Sequence, residues 1–263
     1  MASNRSIERH FSRGAQAYHE LALVQRAAAE KLAEAIDQQQ LAPARVLDLA
    51  CGTGFLTRIM ANRFPDAHVI GIDLSPGMVH VATEFLSDCP NVELHVDDAL
   101  QYQSPEPFDL IVSSSSLQWL RPYDHLMANL KAMLTPDGWT CMTAMLQGTL
   151  GELHQLRREL FADKLPSQSL PLADELLHAM TNAGFAIEHQ EVHEAMEYYA
   201  TAREFFASIR AQGFTGGPLS QGAQPLTRGE LLTLIETCQQ RYLTDAWGVP
   251  ASYCYGVFAA RQQ

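Results

Sequence analysis

The sequence predicts an α/β fold with a mainly parallel sheet and helices on both faces, and three observations carry that expectation. Short β-rich runs alternate with helical runs between residues 46 and 144. The first of these strands leads into a glycine-bearing turn that opens a helix, and the segments before 42 and after 145 depart from the alternation towards helix. Strands separated by helices imply right-handed crossovers, and such crossovers set neighbouring strands parallel.

Each element has its own signal. Residues 5–36, including ALVQRAAAEKLAEAI, repeat apolar side chains at three- and four-residue spacing and read as helix with a bend near Tyr18. Pro43 ends this prelude. Strands follow at 46–49, 69–73, 92–96, 110–113 and 139–144, with helices at 55–62, 78–86 and 126–134. After Met145 helical patterns stand at 152–161, 174–183, 202–212 and 229–242, and strand-like runs remain at 186–192 and 253–259. Thr227 with Glu230 fits a capping box. The stretch AQGFTGGPLSQGAQP is rich in glycine and proline and reads as a long binding loop.

Composition bounds the function. The chain has 263 residues, 47% of them hydrophobic and 18% charged, which describes a globular protein with room for a large core. A net charge of -12 argues against general nucleic-acid binding. Arg5, Arg9, Arg13 and Arg26 nevertheless outnumber Glu8 and Glu20 at the start of the chain, so an acidic partner is expected to dock there. The five cysteines show no C-x-x-C or zinc-ligand spacing, which fits a reducing cytoplasm and gives no metal site. No signal pattern or membrane-length apolar run is present, so the sequence reads as cytoplasmic.

The turn after the first strand decides which ligand the fold takes. Gly52 and Gly54 are followed by Thr57 where a dinucleotide fingerprint has its third glycine. Asp48 precedes them, with Ala50 between, giving D-x-A-x-G-x-G. That carboxylate repels a pyrophosphate and attracts an ammonium group. Asp73 ends the second strand, where it can accept ribose hydroxyls, and Ser75 with Pro76 marks the next helix start. Asp97 and Asp98 follow the third strand, where a carboxylate can accept the amine of adenine. Acidic strand ends without a basic phosphate clamp suit S-adenosylmethionine.

Residues 46–144 resemble the class I S-adenosylmethionine-dependent methyltransferases, through DLACGTG, GIDLSPGM, DDAL and FDLIVSSSSLQWL in that order. The resemblance implies a Rossmann-like methyltransferase sheet with an N-terminal helical lid (1–42), a cofactor-binding core (43–145) and substrate-cap insertions with the last strands (146–263). Ala50 stands where many members have glycine, one small residue for another. Implied cofactor contacts are Asp48, Ala50, Gly52, Gly54, Asp73, Leu74 and Met78, then Asp98 with the Ala99 backbone or alternatively Asp97, and Ser113, Ser114 and Gln118.

The outer segments FSRGAQAYHELALVQ, SLQWL, QGTLGELHQL and YCYGVFAAR are similar to the malonyl-acyl-carrier-protein O-methyltransferases of biotin synthesis. That similarity implies esterification of a malonyl carboxylate carried on acyl carrier protein. Such a carboxylate is already ionised, so no general base is required. The residues expected at the reaction are Tyr18 and Gln147 as neutral donors and Arg210 as the carboxylate clamp, with Arg13 and Arg157 as other candidates. Arg5, Arg9, Arg13, Arg157, Arg158 and Arg203 are expected to offer a basic patch to the acidic carrier. Rival readings are a methyltransferase of a free small polycarboxylic acid, a non-catalytic cofactor-binding regulator and a nicotinamide dehydrogenase, the last disfavoured by the missing third glycine.

Overall fold

The computed structural model of the protein describes residues 4–166, 169–212 and 224–263. Two helices, α1 (Asn4–Leu21) and α2 (Leu23–Gln38), precede the alternating unit. The break between them is at Ala22, four residues beyond the predicted bend. The alternation then gives β1 (Arg45–Leu49), α3 (Phe55–Arg63), β2 (His68–Asp73), α4 (Pro76–Phe85), β3 (Val92–Val96), β4 (Phe108–Ser113), α5 (Tyr123–Met133) and β5 (Leu134–Met145). The last part adds α6 (Gly151–Leu160), α7 (Ala173–Asn182), β6 (Phe185–Tyr199), α8 (Ala202–Ala211), α9 (Arg228–Tyr242) and β7 (Val249–Gln262). Most of the predicted glycine- and proline-rich loop, 213–223, lies outside the described residues.

The sheet runs β3-β2-β1-β4-β5-β7-β6, parallel from β3 to β5 and antiparallel where β7 joins β5 and β6. The chain winds from β1 outwards to β3 and then returns to the other side of β1 with β4. This reversal opens a crevice beyond the carboxyl ends of β1 and β4, where open α/β sheets take their ligands.

Each strand serves two cores because successive side chains point to opposite faces. Val46, Leu110 and Val112 belong to the core with α2 and α3, whereas Leu47, Leu49 and Ile111 belong to the core with α5 and α7. Asp48 therefore shares the face of Val46, under α2 and α3, at the crevice end of a strand otherwise walled with aliphatic groups. The capping box predicted at Thr227 is present, as is the Ser75 cap with Pro76 in the first turn of α4. Among the described residues, no helix is long and apolar enough to cross a membrane.

Candidate active site

The turn from β1 into α3 is built from left-handed residues. Ala50, Gly52 and Gly54 have φ of 57°, 56° and 82°, which folds the chain back so that backbone groups face the crevice. Ala50 adopts this conformation with a side chain, at a steric cost of about 1–2 kcal/mol. A Cβ on Gly52 would meet nothing within 4 Å and would point into open space. A Cβ on Gly54 would come within 2.7 Å of Leu86 Cδ1 and 3.2 Å of Ala82 Cβ. The two glycines thus have different reasons: Gly52 keeps space free for a ligand, and Gly54 lets α3 and α4 pack.

Three carboxylates stand at the ends of the three adjacent strands. Asp48 is 1% exposed; its Oδ2 accepts a hydrogen bond from Thr57 Oγ1 at 2.6 Å, and its buried Oδ1 has no partner. Burial, with the Asp73 charge added, pushes its carboxyl up to about 7. Asp73 accepts from the Gly52 N–H at 2.9 Å and the Ser75 N–H at 2.8 Å, and burial pushes it up to about 6 against those two bonds. Asp98 accepts from the Leu100 N–H at 3.0 Å and lines the cavity, whereas Asp97 is exposed and accepts from the Asp98 N–H at 2.7 Å.

The crevice holds two adjoining cavities. The first is lined by Phe11, Tyr18, Asp73, Met78, Asp98 and Trp119 among others, with Leu74, Ala99 and Leu120 in its wall. The second is more polar and is lined by His19, Gln25, Arg26, Asp48, Thr53 and Phe55 among others. Tyr18, Ala50, Gly52 and Ser114 line both, so the two make one elongated cleft.

Helix α1 forms one wall of the cleft and is pinned at three places. Ser12 Oγ lies 2.8 Å from Ser75 Oγ, and His19 Nδ1 lies 3.0 Å from Thr53 Oγ1. Burial, reinforced by Arg26, lowers the His19 pKa and keeps the imidazole neutral against that hydroxyl. The third place is steric: a Cβ on Gly77 would lie 2.6 Å from the Ser12 backbone, so α1 sits directly on the first turn of α4. Phe11 also meets Trp119 edge to face, with ring centroids 5.1 Å apart.

Several expected contacts are not at the cleft. Gly54 serves helix packing, as described. Ser113 is fully buried: its hydroxyl donates to the Leu49 carbonyl at 2.6 Å and also meets Ser116 Oγ, because period two turns it away from the crevice. Gln118 is 5% exposed and spans the Ser115 carbonyl (2.6 Å) and the Met145 N–H (3.4 Å), fastening the turn after β4 to β5. Gln147 lines a third cavity with His154, Arg158 and Ser169, and its amide donates to Ser169 Oγ at 3.3 Å. Arg210 is exposed in the last turn of α8 and lines neither cavity of the cleft. Arg157 donates to the Lys164 carbonyl at 2.9 Å and is half-buried.

Sequence reasoning missed Phe11, Ser115, Ser116, Trp119 and Leu120 in the first cavity and Arg26 and Thr53 in the second. Trp119 and Leu120 carry no polar signal, and apolar residues beside a strand usually belong to the core. Ser115 gave a faint signal as one of four consecutive serines; it has φ 55° and a buried hydroxyl without a partner.

The arrangement fits an adenosyl amino acid. Asp73 can take hydroxyls, the backbone of Ala99 and the Asp98 carboxylate stand beyond it, and Asp48, with one buried oxygen unpartnered, lines the other end of the cleft. Residues 46–138 match the methyltransferase domain family. Over 94% of each chain, this protein is 31% identical to the malonyl-acyl-carrier-protein O-methyltransferase of Halalkalibacterium halodurans. This chain belongs to that methyltransferase family. It is also 29% identical to the protein of the same name from Geobacter sulfurreducens, covering 98% of this chain and 99% of the relative. The YcgJ protein of Bacillus subtilis shares the fold, with a TM-score of 0.58 at 16% identity over 93% of this chain and 98% of that one. The cofactor is S-adenosylmethionine, and the enzyme is a methyltransferase.

Proposed function

We propose that the protein transfers a methyl group to the free carboxylate of a malonyl thioester on acyl carrier protein, as an early step of biotin synthesis. One observation carries this reading: the likeness to a relative of that name runs over 98% of this chain and 99% of the relative, so it includes α1 and the β6–β7 hairpin as well as the shared cofactor-binding unit. The carrier-bound substrate puts the reaction in the cytoplasm, with the acyl carrier protein as the partner.

When bound, S-adenosylmethionine supplies a methyl group already activated on a sulfonium. The protein then has to position and desolvate an already ionised carboxylate, and Tyr18 stands where the two cavities join. Burial raises the Tyr18 hydroxyl well above its ordinary value, so it stays protonated and serves as a donor and not as a base. We assign Tyr18 and the unpartnered Ser115 hydroxyl as neutral donors to the substrate carboxylate, Ser115 taking the part expected of Gln147. Neutral donors orient the carboxylate without the tight ion pair that would blunt its nucleophilicity. Phe11, Trp119 and Leu120 exclude water around them.

The test compares kcat/KM for malonyl-loaded carrier protein, a malonyl thioester of a small thiol and free polycarboxylic acids. Carrier-bound malonyl is expected to be preferred by orders of magnitude over any free acid. Turnover of a free acid with none on the carrier would move the substrate to that acid.

A further inference from the structure

The cleft and the third cavity differ in charge. Glu8, Asp48, Asp73 and Asp98 line the cleft, whereas among the described residues no Asp or Glu lines the third cavity, and Arg158 does. An anionic group is therefore repelled by carboxylates in the first and drawn to the second. The third cavity is also the roomier, about 320 Å³ against about 120 Å³ and about 50 Å³ for the two parts of the cleft.

We propose that the third cavity holds the prosthetic arm of the acyl carrier protein, with Arg158 and His154 taking its phosphate and Gln147 and Ser169 meeting its amides. The inference rests on the carrier-bound substrate proposed above and names where the enzyme grips that substrate beyond the malonyl group. Such an arm is a flexible chain with two amides that ends on a phosphodiester, so it calls for polar partners, some apolar wall and one cation.

Three observations support the assignment. The first is chemical. His154 and Arg158 stand four residues apart on α6 and so share one face of it. Among the described residues the Arg158 guanidinium forms no ion pair and the His154 ring no hydrogen bond, so both are free to bind a ligand. Burial, with Arg157 and Arg158 adding to it, lowers the His154 pKa, and the neutral ring offers one N–H. The guanidinium fork matches the oxygens of a phosphate. The second is the rest of the wall. Gln147 Nε2 donates to Ser169 Oγ at 3.3 Å, a long bond that both groups can exchange for an amide, and Leu165, Pro166 and Leu170 are apolar. The third is position. Ser115, assigned above as a donor at the reaction, has its N–H on Thr143 Oγ1 at 2.8 Å, and Gln147 follows Thr143 by four residues, about 13 Å of extended chain. The prosthetic arm is longer than that span. The two walls also meet: Leu120 lines the first cavity, and Nη2 of the next residue, Arg121, lies 3.5 Å from the Ser169 carbonyl.

The test adds the phosphate to the substrate and removes its partner from the enzyme. Methylation of malonyl-pantetheine, malonyl-phosphopantetheine, malonyl-coenzyme A and malonyl-loaded carrier protein is followed on the wild type, Arg158→Gln and Arg158→Lys. On the wild type the phosphate is expected to raise kcat/KM over malonyl-pantetheine at least about tenfold, the scale of one charge-assisted bond. Arg158→Gln is expected to lose that gain while changing malonyl-pantetheine by less than about twofold, so the two deletions do not add. Arg158→Lys, which keeps the charge, is expected to retain part of the gain. With malonyl-loaded carrier the Arg158→Gln loss is expected in KM and not in kcat, because the phosphate lies away from the reacting atoms. No gain from the phosphate on the wild type overturns the proposal. So does an Arg158→Gln protein that loses malonyl-pantetheine and malonyl-phosphopantetheine in the same proportion, which marks a purely structural arginine. A loss on malonyl-coenzyme A with none on the carrier overturns it as well and gives the cavity to a free thioester. Absence of turnover on every malonyl thioester strikes the proposed substrate itself, takes this proposal with it, and is distinguishable from the other results.

Discussion

Asp48 and Asp73 hold their protons into the neutral range in the ligand-free protein, at about 7 and about 6 against an ordinary 3.8. Between these values the folded chain binds more protons than the unfolded one, so this contribution to stability is present at low pH and is lost as pH rises towards 7. Asp48→Asn is therefore expected to raise the melting temperature of the ligand-free protein near pH 8, by roughly 5 °C, and to flatten its pH dependence. Cofactor binding has the opposite sign, because an ammonium needs the ionised carboxylate. The affinity for S-adenosylhomocysteine is expected to fall by up to about tenfold for each pH unit below 7 in the wild type, and less steeply in Asp48→Asn. Calorimetry across this range reads both slopes. The neighbouring glycines divide just as clearly. Gly52→Val fills the open space and is expected to cost about 100-fold in cofactor affinity, and its branched side chain at φ 56° is also expected to cost about 2 kcal/mol of stability through backbone strain. Gly54→Ala drives a methyl into Leu86 and is expected to cost about 2 kcal/mol or more in denaturant unfolding. The sequence made Asp48, Gly52 and Asp73 legible because their chemistry and place at strand ends coincide. Gly54, Ser113 and Gln118 share the same motifs but face away, since adjacency in a motif does not say which way a left-handed turn aims each residue.

At the scale of elements, α1 is the part whose placement over the cleft has most consequence for turnover. It reaches the cleft through Glu8, Phe11 and Tyr18 and rests on α4 at Gly77. We propose that it is the lid through which the cofactor exchanges, with its hinge at Ala22. Gly77→Ala would set a methyl against the Ser12 backbone and lift that contact. It is expected to speed dissociation of S-adenosylhomocysteine at least about fivefold, read by stopped-flow, while the melting temperature changes little because the sheet cores lie elsewhere. The alternating unit was legible almost element by element, since each strand is a short aliphatic run ended by a turn signal. The hairpin was not. β6 spans Phe185–Tyr199 where the sequence predicts 186–192, and β7 spans Val249–Gln262 where it predicts 253–259. The extra length of β6 at 193–199 mixes Glu194 and Glu197 with Met196, Tyr198 and Tyr199 and is half exposed at the sheet edge, and its pairing with β7 supplies what an apolar pattern did not. Likewise the α1–α2 break at Ala22 carries no glycine or proline; long-range ties fix it, the Arg26 guanidinium donating to the His19 carbonyl across it and α1 packing over the cleft.

For the whole molecule the proposed function requires an acidic enzyme to receive an acidic carrier. Arg9 and Arg13 are exposed on α1, and α1 meets α8 where Gly14 packs on the Ala211 carbonyl, next to the exposed Arg210. We therefore place the docking patch on this junction and reassign Arg210 to it, while Arg157 holds the turn after α6. Reversing Arg9 and Arg13 to Glu is expected to raise KM for malonyl-loaded carrier about tenfold or more and to leave a small malonyl thioester unaffected. Increasing salt should mimic the change, because the attraction is between exposed charges. Most directly, the purified protein is incubated with S-adenosylmethionine and malonyl-loaded acyl carrier protein, and the intact mass of the carrier is followed. The account predicts a gain of one methyl group on malonyl carrier and none on acetyl carrier. An unchanged malonyl carrier, with cofactor binding shown by calorimetry, would contradict it.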